Sequence, residues 1–446
     1  SLIWLFGSEE WVLRTLPALA GTVSVVSLSV FVRALYGPRV ALFAAVLLVF
    51  THTHIHFSRQ LAVSYIYAAV FVPILLWGLW RMVETRRAWP AVVAAAAVSF
   101  HANFYVDAWA WAVLTLLVGG AWLVVHRSAM RNAVSVWGIY LGAALLGLGP
   151  QLVWAAFRPS GFFSRLEVDG SFVSGYVYRE AEALQMSVIG YVLYLYQQAL
   201  QAIYLNPFID FYHADVPMLE QVSVGLALIG AVIVHNKVHT PRGILLLGWF
   251  WGGVTALAVF TLPISTYHYR LFVIVPMLMI FCALGLDAVY RLVVRFGSTR
   301  SAAGVAAVVL VVVAALNVDI YVNRLALDCR YGGDHMTQRA GAAARFLHEK
   351  DVKDAPVVIV GQENDMHAGT WKSFEYLNPT VTFLNRFPDS EPLVYADPGD
   401  DVYFLYIPER FLEAEKIEAG YQRVGDYETI TMCGELFGYL THTQAP

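Results

Sequence analysis

Polar side chains that could do chemistry gather in short clusters, each beside an apolar run. The first cluster is THTHIHFSR (Thr51–Arg59), in which His52, His54 and His56 alternate. Alternating histidines could bind a metal in an extended segment, but on a helix His52 and His56 share a face and His54 does not. No carboxylate lies nearby in the sequence to complete a metal set. We therefore favour an interfacial, hydrogen-bonded loop, and leave ligand contact and a metal site open.

The second cluster is HANFYVD, which begins at His101, contains Tyr105 and ends at Asp107. Asp107 is the only acid between Glu84 and Glu167. An ionisable group at membrane depth costs roughly 2.5–3.5 kcal/mol, so such groups tend to face a cavity or a partner. Asp107 is therefore a candidate catalytic carboxylate, although a helix N-cap at the water boundary explains it equally well.

The third cluster is STYHYR, which contains Tyr267, His268, Tyr269 and Arg270. A guanidinium offers a fork of donors that suits a lipid phosphate, and aromatic rings can lie along an acyl chain. The alternative is an aromatic belt at a membrane surface with an arginine that reaches out to water. The cluster predicts a lipid-phosphate site.

The composition shows which elements must position these clusters. Of 446 residues, 58% are hydrophobic and 14% are charged, whereas a soluble domain has about 25% charged residues. From Asn323 to Pro446 there are 20 acids and 11 bases, which leaves 13 acids and 18 bases for residues 1–322. Disordered, collagen-like and disulfide-scaffold classes are excluded, and a net charge of -4 argues against nucleic-acid binding. The chain thus has a lipid-embedded part, 1–322, and a water-exposed part, 323–446.

Apolar runs of the length that crosses a bilayer, about 20 residues, follow one another through the first part. Backbone in lipid must satisfy its own hydrogen bonds, so the runs are predicted to be helices. We count about ten predicted spans: Leu13–Val32, Val40–Phe57, Ile66–Val83, Ala88–Phe100, Ala108–Val125, Ala133–Phe157, Leu219–Val234, Ile244–Leu262, Leu271–Tyr290 and Ala302–Val322. The fold class is therefore an all-α multi-spanning membrane protein.

The short loops between the predicted spans, here called joints, indicate how the chain is oriented in the membrane, because basic residues gather in alternate joints. Five joints, Arg33–Arg39, Arg81–Arg87, Arg127–Arg131, Lys237–Arg242 and Arg291–Arg300, hold twelve Lys and Arg and one acid. The rule that positive joints face the cytoplasm then places the clusters on the outer side of the cell (plasma or inner) membrane.

The same orientation places the segment Arg158–Pro217 and the part after Val322 on the outer side. Within that segment, the run Tyr178–Tyr204 is predicted to be a helix that lies in the plane of the membrane interface. Ser1 would also lie outside, without an initiator Met or a signal peptide, so we expect at least one span upstream of it.

The water-exposed part is predicted to be a small extracytoplasmic α/β domain. His335–Lys350 has the pattern of a helix, and the predicted strands are Pro356–Gly361, Thr380–Leu384, Val402–Ile407 and Tyr421–Thr431. No glycine-rich phosphate loop follows the first strand, so no nucleotide site is assigned. Cys329 and Cys433 flank the domain, and a disulfide between them stays open.

Several of these stretches resemble GT-C glycosyltransferases, in the branch of the bacterial and archaeal relatives of protein O-mannosyltransferase and lipid A aminoarabinose transferase. The resemblance covers roughly residues 2–322, and the order of its motifs together with the topology carries most of its weight. The matching positions are Phe6, Gly7, Glu10, Arg14, Pro17, Ala18, Leu19 and Gly21, then Gly37, Arg39, Ala41 and Leu42, then Ser58 and Arg59, and finally Arg270 in YHYRLFVIVPMLMIFCALGL.

This resemblance implies transfer of a sugar from a polyprenyl-phosphate donor to a saccharide, lipid or protein acceptor on the outer side of the membrane. Arg270, with Arg59, would bind the lipid phosphate, and His54, His56, His101, Tyr105 and Tyr267–Tyr269 would line the substrate site. The family's catalytic acid lies in a first outer loop, upstream of the stretch matched by residues 2–21, and Asp107 is the best acid in this chain. We therefore expect this polypeptide alone to be inactive or unstable. No cofactor is firmly implied, and a divalent metal stays open.

Three other readings explain part of the pattern. A transporter of lipid-linked saccharide or another lipid accounts for the spans, but transporter sites tend to lie near the midplane, whereas here the polar groups gather at one surface. A metal-dependent hydrolase would be built on His52–His56. A non-enzymatic scaffold would act through residues 323–446.

Overall fold

The computed structural model describes residues 10–60, 65–105, 107–131, 133–206, 216–261, 270–326, 335–361, 365–386 and 395–446. The chain divides into two compact units. One is Arg14–Leu327, and the other is Asp328–Pro446 together with Ser1–Leu13.

The first unit consists of helices. Among the described residues, seven helices are long and apolar enough to cross a membrane, and three further apolar helices are shorter. The protein is a multi-pass membrane protein. In chain order the helices are α1 Glu10–Tyr36, α2 Pro38–Phe50, α3 His52–Phe57, α4 Tyr65–Thr85, α5 Ala88–Ala102, α6 Ala108–Val125, α7 Arg127–Arg131, α8 Val134–Phe157, α9 Pro159–Asp169, α10 Tyr176–Ala183, α11 Val188–Tyr204, α12 Gln221–His235, α13 Pro241–Val254, α14 Val275–Phe296 and α15 Thr299–Tyr321.

Polar residues at the joints begin several of these helices. Ser187 accepts a hydrogen bond from Gly190 N, and Ser298 does the same for Ser301 N. Glu220 accepts hydrogen bonds from the first amides of α12. These side chains satisfy amides that the helix itself leaves without partners, so the joints fix where the helices start.

The structure corrects two predicted helices. The run Val40–Phe57 is two helices, because Thr51 has extended backbone (φ -61°, ψ 121°) and its hydroxyl donates to Leu47 O at 2.6 Å. The run Tyr178–Tyr204 is also two helices, α10 and α11, because Gln185 lies between them in the left-handed region (φ 54°).

The second unit is a mixed sheet with helices. The strands are β1 Pro356–Val360, β2 Thr382–Arg386, β3 Asp401–Tyr406, β4 Gln422–Arg423, β5 Glu428–Met432 and β6 Glu435–Gln444, in the order β2-β1-β3-β6-β4, and β5 also pairs with β6. β1 is parallel to both of its neighbours, and β6 is antiparallel to its own. The helices are α16 His335–Glu349, α17 Ser373–Leu377 and α18 Ala414–Ile417.

Both faces of this sheet are covered, which explains why β1 is an unbroken apolar run. Val357 and Ile359 pack on one side with Leu347 of α16, and Val358 and Val360 pack on the other. The predicted strand Tyr421–Thr431 is two strands, β4 and β5. The sequence analysis missed β6, the longest of the described strands, because the second half of this strand, which ends with Thr441–Gln444, is polar.

Two further features stabilise the second unit. Arg339, which is buried, forms ion pairs with Asp365 and, at 3.1 Å, with Glu409. Cys433 is disulfide-bonded, and Cys329 lies outside the described residues.

Candidate functional site

A cavity of about 480 Å³ lies at one end of the membrane unit. Most of its wall is aromatic or aliphatic and includes Trp109, Phe162, Phe163 and Phe260. Its polar lining includes Tyr65, Tyr105, Asp107, Thr261 and Arg270. A largely apolar pocket with a few convergent polar groups is typical of a site for a small or amphipathic ligand.

Asp107 is the carboxylate of this cavity. It occupies the N-cap position of α6, as the sequence allowed, but its side chain makes no capping hydrogen bond. Its Oδ2 atom accepts a hydrogen bond from Trp111 Nε1 at 3.1 Å. Its Oδ1 atom lies 3.0 Å from His101 Nε2. The side chain is 2% exposed, so the Trp111 N–H group replaces part of the water that would otherwise solvate the carboxylate.

Arg270 brings a cation to the same cavity. It is 8% exposed and directly precedes the 3₁₀ turn Leu271–Ile274, which leads into α14. Charge-assisted hydrogen bonds from a guanidinium are stronger in a place that excludes water. Tyr267, His268 and Tyr269, the predicted neighbours of Arg270, lie outside the described residues.

Two tyrosines complete the polar part of the lining. The hydroxyls of Tyr65 and Tyr105 are 2.7 Å apart, and their rings meet edge to face with centroids 4.8 Å apart. Tyr65 begins α4 and Tyr105 follows α5, so this contact joins two helices at the cavity. Tyr105 is one of the predicted site residues, whereas Tyr65 is not.

A π-helical turn forms part of the cavity wall. α13 continues as Thr255–Val259 in π conformation, and two cavity residues, Ala256 and Leu257, lie in this turn. Ser171 binds the end of the turn, since its amide donates to Phe260 O at 3.1 Å and its hydroxyl donates to Val259 O. π turns occur often at functional sites, because they redirect side chains within a helix.

The histidine cluster serves a different purpose. His52, His54 and His56 are buried in α3, and none of them lines the cavity. His54 Nε2 lies 2.8 Å from the Ser24 hydroxyl of α1, and the amide of His52 donates to Asn317 Oδ1 at 2.9 Å. Among the described residues, no three His, Cys, Asp or Glu side chains come together to hold a metal.

Arg59, which follows this cluster, also lies outside the cavity lining. It donates to the Tyr321 hydroxyl at 2.6 Å, and its guanidinium lies 5.8 Å from the centre of the same ring. The structure therefore brings together Tyr105, Asp107 and Arg270, with His101 behind the carboxylate, and separates Arg59, His54 and His56 from them.

The sequence analysis missed the aromatic wall and Trp111. The spacing of Asp107 and Trp111 (i, i+4) places both on one helix face, and this was the available signal. Phe162, Phe163 and Phe260 come from distant parts of the chain, and the sequence gives no indication that they meet.

Comparisons with known proteins concern the family and the fold. Residues 2–154 match the family model of dolichyl-phosphate-mannose-protein mannosyltransferases. No curated protein matches the chain.

Solved structures match over nearly the whole chain. ArnT from Cupriavidus metallidurans bound to undecaprenyl phosphate is 13% identical, with a TM-score of 0.56 over 99% of this chain and 85% of ArnT. The apo state of ArnT gives 12% identity and a TM-score of 0.55 at the same coverage. AglB, an archaeal oligosaccharyltransferase from Archaeoglobus fulgidus in complex with an inhibitory peptide and a dolichol-phosphate, gives 11% identity and a TM-score of 0.51 over 96% of this chain and 63% of AglB. The chain therefore has the fold that these solved structures share, in agreement with the multi-spanning fold that the resemblance in its sequence implies.

Proposed function

We propose that the protein is a membrane glycosyltransferase that moves a sugar from a polyprenyl-phosphate donor to an acceptor. One observation carries the proposal: a single, mainly apolar cavity contains a buried carboxylate, Asp107, and a buried guanidinium, that of Arg270. A lipid phosphate needs the cation and the apolar wall, and an attacking hydroxyl or amine needs the carboxylate. The family model and the two lipid-phosphate complexes support the same donor class.

The proposed reaction is one displacement. The acceptor oxygen or nitrogen attacks the anomeric carbon of the sugar, and its proton passes to a carboxylate. Among the described residues that line the cavity, Asp107 is that carboxylate. The bond from that carbon to the phosphate oxygen breaks, and polyprenyl phosphate leaves with the electron pair. Arg270 stabilises the charge that develops on the phosphate. The aromatic wall, which includes Trp109 and Phe260, would bind the first part of the lipid chain.

The cavity and the second unit are proposed to lie on the outer side of the cell membrane. The helices that reach the cavity at Tyr65, Asp107 and Arg270 lead at their other ends to the arginine-rich joints. There Arg39 and Arg291 pair with Asp287 at 2.6 and 2.7 Å. Since positive joints face the cytoplasm, the cavity end faces outward.

Binding of the lipid tests the phosphate role without knowledge of the sugar or the acceptor. The purified protein in nanodiscs is titrated with undecaprenyl phosphate, and Arg270→Ala is expected to weaken binding by about 10- to 100-fold, the worth of a lost charge-assisted hydrogen bond. Arg270→Lys should lose less. Arg300→Ala, an exposed change at the start of α15, should bind like wild type.

Transfer tests the reaction itself. Radiolabelled polyprenyl-phosphate mannose is offered first, then the glucose and aminoarabinose donors, to membranes that carry the protein expressed from its full-length reading frame. Membranes from cells that lack the protein serve as the acceptor source. Asp107→Asn is expected to slow transfer by about 10²- to 10⁴-fold, as for loss of a general base. Full activity in Asp107→Asn would assign the base to another residue. Movement of the donor across the bilayer without transfer would favour a transporter.

A further inference from the structure

Arg242, at the end of the membrane unit away from the cavity, is held by aromatic rings. Its guanidinium carbon lies 5.8 Å from the ring centre of Tyr36 and 5.5 Å from that of Trp80. Both distances fall within the range of about 6 Å over which a ring face attracts a cation. No carboxylate of the described residues forms an ion pair with Arg242. The charge of this arginine is therefore not neutralised within the described part of the chain.

Two arginines of neighbouring joints are bound differently. Arg39 pairs with Asp287 at 2.6 Å. Arg81 pairs with Glu84, also at 2.6 Å. A carboxylate occupies N–H groups of its arginine, whereas a ring contacts the face of a guanidinium and leaves the N–H groups around its edge available. Arg242 can therefore donate several hydrogen bonds to an acceptor from outside the chain.

Trp80 adds a second donor at the same place. Its Nε1 atom is buried, and none of the described residues accepts a hydrogen bond from it. A buried N–H group without an acceptor is rare, because the loss of its water costs free energy. The indole that carries this N–H is one of the two rings that contact the guanidinium of Arg242. One charged donor and one neutral donor beside each other suit the oxygens of a phosphate.

Four helix ends bring an excess of positive charge to this place. Tyr36 ends α1, Trp80 lies near the end of α4, and Arg242 is the second residue of α13. The end of α6 reaches the same joint, where Trp122 Nε1 donates to Pro241 O at 3.1 Å. The joints at these four helix ends hold nine Lys and Arg and one acid, within residues 33–39, 81–87, 127–131 and 237–242. The surroundings of Arg242 therefore favour an anion.

This place is separate from the cavity. Tyr65, which lines the cavity, and Trp80 are fifteen residues apart on α4. On α13 and its π turn, Arg242 and the cavity residue Leu257 are also fifteen residues apart. At about 1.5 Å per residue, fifteen residues of helix span about 22 Å. An anion at Arg242 therefore does not compete with a lipid phosphate at Arg270.

We propose that Arg242 and Trp80 bind the phosphate of an anionic glycerophospholipid. The guanidinium edge donates to the phosphate oxygens, and Trp80 Nε1–H donates to the same phosphate. The occupant is a lipid because this place lies at the ends of membrane helices, where the headgroups of a bilayer are concentrated. Basic sites between membrane helices on the cytoplasmic side bind anionic headgroups, and the orientation proposed above places Arg242 in that leaflet. The lipid joins the ends of α1, α4 and α13 and takes no part in transfer.

The test measures lipid binding to the purified protein in neutral detergent by native mass spectrometry. Phosphatidylglycerol is the anionic lipid and phosphatidylcholine the neutral one. Arg242→Gln removes the charge and keeps a polar side chain, whereas Trp80→Phe keeps a ring and removes the N–H group. Arg300→Gln is the matched control, because it removes the same charge from an exposed arginine at the start of α15. Thermal unfolding in the same detergent without added lipid shows whether each variant is folded.

Wild type is expected to bind phosphatidylglycerol in preference to phosphatidylcholine. Arg242→Gln should weaken phosphatidylglycerol binding by about 10- to 100-fold, the effect of a lost charge-assisted hydrogen bond. Trp80→Phe should weaken it by about 2- to 10-fold, the effect of a lost neutral hydrogen bond. Arg300→Gln should cost at most about fivefold, because an exposed charge contributes only general attraction. Arg270→Ala, a change at the cavity, should leave phosphatidylglycerol binding within about twofold of wild type.

Three results overturn the proposal. One is an equal loss of phosphatidylglycerol binding in Arg242→Gln and Arg300→Gln, which would reduce the effect to general attraction between charges. Another is equal binding of the two lipids by wild type. The third is a loss in Arg270→Ala with none in Arg242→Gln, which would place the phospholipid in the cavity. If Arg242→Gln does not fold, Trp80→Phe decides, and unchanged phosphatidylglycerol binding in that variant overturns the site. No measurement here uses a sugar donor, so a failure of the proposed transfer reaction leaves this result unaffected.

Discussion

Two glycines set the contact between α12 and α14, the helix that follows Arg270. A Cβ atom on Gly230 would lie 1.9 Å from Phe281 O, and one on Gly285 would lie 2.1 Å from Leu226 O. Real Cβ atoms essentially never come within 3.0 Å of another heavy atom, so Gly230→Ala requires the helices to separate by about 1 Å. Small residues at helix contacts in membranes allow this close approach, and dispersion forces reward it.

The cost of Gly230→Ala is the difference between two effects. Overpacking a well-packed contact costs about 1–3 kcal/mol. Alanine regains about 1 kcal/mol over glycine from its better helix propensity. We therefore expect a net loss of up to about 2 kcal/mol, because the clash is with backbone, which moves only with its whole helix.

The same helix supplies a matched control. A Cβ on Gly225 would meet nothing within 4 Å, so Gly225→Ala keeps the gain in propensity without the clash. Thermal unfolding in detergent should give a lower Tm for Gly230→Ala than for wild type, and an equal or higher Tm for Gly225→Ala. Equal Tm values for the two alanine variants would refute the argument that backbone contact at Gly230 limits the packing.

Three further predictions concern other parts of the chain. Asn317→Leu should destabilise the membrane unit by about 1–3 kcal/mol in thermal unfolding, because the amide of His52 loses its acceptor in a buried place. Burial raises the pKa of Glu409, but hydrogen bonds from its own backbone and from Arg339 bring it below the usual value. A lowered carboxyl pKa stabilises the fold above its unfolded-state value, so the Tm deficit of Glu409→Gln should be present at about pH 7 and vanish as the pH falls to about 3. Ser171→Ala removes one of the two hydrogen bonds that hold the end of the π turn and should weaken undecaprenyl phosphate binding by a few-fold. Unchanged binding would show that this contact does not affect the cavity.

The membrane helices were predictable because the bilayer imposes their length. Each of the ten apolar runs corresponds to one or more helices of the structure, since about 20 apolar residues in lipid have few other ways to satisfy their backbone. The break at Thr51 was not visible, because it depends on a threonine that bonds back to the preceding turn within a continuously apolar run. Hydropathy measures the free energy of transfer to lipid, and it does not report a side-chain hydroxyl that bonds to a backbone carbonyl of the preceding helical turn.

The sheet of the second unit was less predictable, because its strands depend on their neighbours. β1 was evident from its apolar run, whereas β6 owes its length to pairing with β3, β4 and β5 at once. Thr441 and Thr443 of β6 are buried, and their hydroxyls donate to Glu418 and to Val402 O. Polar residues with such partners can be buried in a core, and the sequence then shows no apolar pattern that would predict the strand. Strand preference depends on packing against neighbouring residues.

In the candidate site, Asp107 could be predicted from the sequence, whereas its meeting with Arg270 could not. Asp107 was a candidate because an acid is expensive in an apolar context and needs a reason. That reason is now a set of contacts, with Trp111 one turn ahead, His101 six residues behind and Arg270 in the same cavity. The first two follow from local chain geometry, whereas the meeting with Arg270 depends on the packing of helices far apart in sequence. Arg59 illustrates the converse, since its residue type suits a phosphate equally well, yet the fold places it against Tyr321. Composition thus indicates that a buried charge has a partner, and only the packing of the helices decides which partner it has.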